Sequence, residues 1–121
     1  MTVCLSIPMP PMGKERPRVT RKGTYMPDRY VAWKNEFVIR AKSQTAGQSY
    51  FDTIAGPVRI STIFYTRTGN CRSDCDNAHA ACLDALQDAR IIANDRQVKA
   101  GAYAITQGMP ERIEVTIEEI P

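Results

Sequence analysis

The chain has 121 residues, 43% of them hydrophobic, a length that carries one domain around a single core. No apolar run approaches the ~20 residues a membrane-spanning helix needs, which excludes a helical channel or transporter. The net charge of +3 is unevenly shared: residues 1–50 carry nine basic against three acidic side chains (+6), and residues 51–121 carry seven against ten (−3). Such a division suits a protein that grips a polyanion with one part and a cation with another.

In chain order, "TVCLSIPM" alternates Val3, Leu5 and Ile7 with smaller residues, which predicts a strand that Pro8, Pro10 and Pro11 end. The apolar start has three prolines and no positive charge ahead of it, a poor signal peptide, so a cytoplasmic protein is expected. "GKERPRVTRKGTYMP" is a basic loop able to form a hairpin turning at Lys22-Gly23. Asp28 then looks like an N-cap, with Tyr30, Trp33, Phe37 and Ala41 at helical spacing behind it. That one-sided recurrence makes Trp33 and Phe37 core residues rather than a base-stacking platform.

Residues 43–57 read as a loop, and "VRISTIFYT" (58–66) as a β-branched strand. A second helix follows "RTGNCRS", with Ala78, Ala81, Cys82, Ala85, Leu86 and Ala89 as its apolar stripe. "QVKAGAYAIT" and "RIEVTIEEI" are the predicted final strands. The order ββαβαββ describes a single α+β domain over 1–121. A mixed or mainly antiparallel sheet of four to five strands is expected, with two helices on one face.

"SDCDNAHAACLDAL" raises the chemical question. A helix start needs one capping carboxylate, yet Asp74 and Asp76 stand one residue apart. In an extended segment they would point to the same side, a repulsive arrangement unless a hard divalent cation such as Mg²⁺ or Mn²⁺ lies between them. Asp84 is about 12 Å further along the helix by rise, too far to share the ion. The six residues after a helix ending near Ala89 can span about 20 Å, enough for "IIANDRQV" to return Asp95 to the helix mouth. Asp74, Asp76 and Asp95 therefore make a plausible carboxylate cluster, with Asp84 and Asp88 as solvated helix residues. Carboxylates beside a basic segment suit phosphodiester hydrolysis, and Lys14, Arg16 and Arg18 are the candidates to hold the nucleic-acid backbone.

"KERPRVT…TYMP" followed by "DCDNAHAACLDALQDARIIANDRQV" resembles the RusA family of Holliday junction resolvases, small endonucleases of phages and bacteria. The resemblance runs from about residue 5 to 120. It implies a metal-dependent endodeoxyribonuclease acting in recombination and repair, with Mg²⁺ (Mn²⁺ able to substitute) held by Asp74, Asp76 and Asp95. It also implies a homodimer that places symmetric nicks across a four-way DNA junction. The lysine of the family pattern three residues after Asn77 is Ala80 here, so slower cleavage is expected. Arg72 or Arg96 could supply the missing cation from the flanking loops.

Two other readings compete. A branched-DNA-binding protein with weak or no nuclease activity would keep the basic half, and Ala80 favours it. A zinc-binding module would use Cys71, Cys75, His79 and Cys82, spaced by four, four and three. The four cysteines, without a secretory context, are expected as free thiols.

Overall fold

The computed structural model describes residues 2–46 and 52–121. Strand β1 is Thr2–Ile7, and a short hairpin follows, β2 (Arg18–Thr20) and β3 (Gly23–Tyr25). Helix α1 (Asp28–Thr45) leads to β4 (Val58–Thr66), then α2 (Cys75–Asp88), β5 (Val98–Ala100), β6 (Tyr103–Gln107) and β7 (Arg112–Glu119). The main sheet has five strands in the order β1-β7-β4-β5, with β6 also on β4. β7 is antiparallel to both β1 and β4, whereas β5 and β6 run parallel to β4. The sheet is mixed, the hairpin forms its own two-stranded sheet, and the chain is one α+β domain. Among the described residues no helix is long and apolar enough to cross a membrane.

Alternation in β1, β4 and β7 sends every second side chain to one face, as the period of a strand requires. Leu5, Ile60, Phe64, Val115 and Ile117 are buried there with Tyr30, Trp33 and Phe37 of α1 and the alanine stripe of α2. Trp33 stacks against Tyr30 and packs on Phe37, and its indole N–H donates to the Pro10 carbonyl. The small side chains of α2 let it lie close against α1 and the sheet. The helices thus cover one face, and the other stays open.

Several local expectations change. Asp28 lies in the first turn of α1 rather than capping it; the cap position is Pro27, which has no side-chain oxygen to offer. α1 runs on to Thr45, so the expected loop at 43–57 begins later, and part of it lies outside the described residues. The single strand expected from "QVKAGAYAIT" is two, because the chain passes so close to β4 at Gly101 that a Cβ there would lie 1.8 Å from the Ile60 carbonyl oxygen. Asp84 is not a solvated helix residue. It accepts from the Tyr30 hydroxyl at 2.8 Å, and Lys34 bridges it to Asp88. This cluster ties α1 to α2. Burial and the Asp84 hydrogen bond push the Tyr30 phenol far above its ordinary pKa, keeping it a neutral donor.

Candidate active site

α2 begins at Cys75, immediately after an extended Asp74 (φ −64°, ψ 148°). Asp74 occupies the cap position, where its carbonyl accepts from the amides of Asn77 and Ala78, but its carboxylate makes no capping bond. Asp76 sits inside the first turn, not in an extended run, and its Oδ1 accepts from the Asn77 amide at 2.8 Å. The positive end of the helix dipole favours a carboxylate there. Both aspartates are exposed, so neither is consumed by the fold.

The basic segment is docked on this helix mouth. The Lys14 amide donates to the Asn77 carbonyl at 3.2 Å, and the Asn77 side-chain amide donates back to the Lys14 carbonyl at 3.2 Å. Gly13 makes the approach possible: a Cβ there would stand 2.5 Å from Ser73 Cβ and 2.6 Å from Asn77 Nδ2. Beside the contact a cleft of about 420 Å³ opens, lined by Met12, Lys14, Arg29, Asn70, Arg72 and Glu111. Among the described residues, the side chains of Lys14, Arg16, Arg18 and Arg72 make no hydrogen bond or ion pair, whereas Arg29, Lys34, Arg40, Arg59 and Arg112 are each paired with a carboxylate. Unpaired cations beside two exposed carboxylates form a surface suited to a phosphate backbone.

Asp95 takes a different position from the one expected. Its amide donates to Gln87 Oε1 at 2.9 Å, near the C-terminal end of α2. Roughly 16 Å of helix rise separates Gln87 from Asp76. The physical reason is topological: β5 runs parallel to β4, so the chain leaving α2 re-enters the sheet at the start of β4, pairing Val98 with Val58. Asp95 is also held firmly. Gln97 caps its turn together with Asn94 and donates to the carbonyls of Ile54 and Gly56. Among the described residues, no three or more His, Cys, Asp or Glu side chains are grouped closely enough to hold a metal ion. One chain as folded thus does not present Asp74, Asp76 and Asp95 as a single ligand set. Arg96 stays with Asp95 at that far end, which leaves Arg72, in the cleft beside Asn77, as the loop cation at the start of α2.

Nor do the zinc candidates converge. His79 Nδ1 lies 2.7 Å from the Thr62 hydroxyl, and its ring packs on Tyr103. Burial holds its pKa below the ordinary value. Cys82 is wholly inside the core, where burial pushes its thiol pKa far up, and the Cys71 thiol turns to the Ser73 carbonyl. All four cysteines are free thiols. The contributions of Gly13, Ser73, Asn77 and Gln97 were not read from the sequence. Only the glycine ahead of the basic run, and the asparagine directly after the second aspartate, hinted at a backbone clasp.

The surface is that of a nucleic-acid-cleaving domain with a basic arm clasped to an acidic helix mouth. The RusA endodeoxyribonuclease family model matches residues 8–118, and the chain belongs to that family. No curated protein matches it.

Proposed function

We propose that the protein resolves four-way DNA junctions, as a homodimer that nicks two strands symmetrically. The observation that carries this reading is the clasp between Lys14 and Asn77, which sets a row of unpaired cations against the helix bearing Asp74 and Asp76. Lys14, Arg16, Arg18 and Arg72 hold the phosphates, and a backbone drawn along them passes the two carboxylates. Asp74, Asp76 and Asp95 are proposed as the acidic residues on which cleavage depends. A requirement for Mg²⁺, with Mn²⁺ able to substitute, belongs to the same proposal.

The test is cleavage of a labelled synthetic four-way junction with Mg²⁺, with Mn²⁺ and with EDTA. Paired nicks at symmetric positions, abolished by EDTA, are expected. Cleavage unaffected by EDTA, or none with either metal, would refute the reading. Junction binding without cleavage under every condition would favour the DNA-binding alternative.

A further inference from the structure

The hairpin β2–β3 stands apart from the main sheet, and all six of its strand residues are exposed. Its pairing sets Val19 opposite Thr24 on one face and Arg18 opposite Tyr25 on the other. The turn is braced by Thr20, whose hydroxyl donates to the Gly23 carbonyl and accepts from the Lys22 amide. Gly23 supplies the positive φ the turn needs (124°). Val19 is 81% exposed, the most exposed of the large hydrophobic side chains in the described residues.

A folded arm that holds an apolar side chain in water gains nothing from it on its own. Its roots, by contrast, are pinned. Lys14 is clasped to Asn77, Glu15 pairs with Arg29 at the start of α1, and Pro27, the cap of α1 two residues after β3, is buried. Around the exposed valine, Arg16, Arg18, Arg21 and Lys22 make no side-chain hydrogen bond or ion pair among the described residues.

We propose that this hairpin is a wedge that inserts Val19 into the base stack at the branch point of the DNA, with the four cations holding the phosphates on either side. A two-stranded ribbon is narrow enough to enter a DNA groove. A ribbon that read base edges would present several hydrogen-bonding side chains on one face, but the face bearing Val19 has only the Thr24 hydroxyl beside it, with Arg18 and Tyr25 on the other face. Apolar side chains flanked by cations are the kind that part base steps. The branch point is where parting costs least, because stacking is already interrupted there. The root at Lys14 is hydrogen-bonded to Asn77, next in sequence to Asp76, so DNA held along the arm leads towards the acidic pair.

The inference rests on the junction reading, and its test separates the two. A four-way junction carrying 2-aminopurine at the branch point is titrated with protein in EDTA, beside a linear duplex carrying the same probe. Wild type is expected to raise the junction fluorescence as the probe unstacks. Val19→Ala is expected to bind but lose that rise, and Val19→Leu to retain it. Because Val19 is exposed, neither change threatens folding. Equal fluorescence gain with Val19→Ala and wild type overturns the wedge while leaving junction recognition standing. Wild type that binds the junction no better than the duplex overturns the junction reading, and the wedge with it.

Discussion

His79 is the chain's one histidine, and its surroundings give it a structural effect that can be measured. Half-buried between Thr62 and Tyr103, it is held by burial below its ordinary pKa of 6.5. Folding therefore favours the neutral ring. As pH falls, the unfolded chain takes up the proton first, so this contribution is complete above about 6.5 and is lost as pH drops through that value towards the lower folded pKa. Thermal unfolding between pH 7.5 and 5 is expected to show a fall in Tm that His79→Gln makes shallower. Parallel curves for the two proteins would assign the acid sensitivity elsewhere. The same contacts remove His79 as a substitute for the cation missing at Ala80, one helical turn beyond Asp76. Ala80→Lys is expected to raise the single-turnover cleavage rate about tenfold or more with little change in affinity, the signature of a transition-state contact. An unchanged rate would point to Arg72, and Arg72→Ala would then be the slow variant.

Among the elements, the clasp of the basic segment on α2 depends on a missing side chain. Gly13→Ala places a methyl group 2.5 Å from the Cβ of Ser73, two residues ahead of α2, a contact too short to keep. The segment is expected to lift away, weakening junction binding and cleavage together while Tm changes little, since no core residue is touched. Binding at wild-type strength would show that the cations act without the clasp. The elements also show how much could be read in advance. Trp33, Phe37 and the alanine stripe of α2 sit where their spacing put them, because one-sided burial has a period that a sequence displays. The hairpin was legible for a similar reason, since Gly23 is a local signal, although the turn falls at Arg21-Lys22, one residue before the expected Lys22-Gly23, because Gly23 already pairs with Thr20. The split at Gly101 and the seat of Asp95 were not, because each depends on which strand lies alongside β4. Reach permitted Asp95 at the helix mouth; the parallel pairing of β5 forbids it.

For the whole molecule, that separation bears on assembly. If Asp95 serves the same centre as Asp74 and Asp76, the two ends of α2 must meet through a second copy. Asp76→Asn and Asp95→Asn are each expected to be inactive as pure proteins. Mixed and allowed to exchange subunits, they are expected to recover cleavage, because a hybrid dimer restores one complete centre. That hybrid should nick a single strand rather than two. No recovery in mixtures shown by native mass spectrometry to contain hybrids would place Asp95 in a separate role.

The position of β7 has a consequence for how the chain acquires its shape during synthesis. This strand lies between β1 and β4 and is hydrogen-bonded to both, yet it is made after every other strand of the sheet. Until Arg112–Glu119 has left the ribosome, β1 has no strand to pair with, and the edge of β4 that β7 takes stays unpaired. The two helices and the parallel β4–β6 unit can come together earlier, since their contacts are nearer in sequence. Nascent chains stalled before residue 112 are therefore expected to be digested readily by protease through β1. Release of the full strand should bring protection to β1 and β7 at the same moment, which pulse proteolysis of arrested chains of graded length would record.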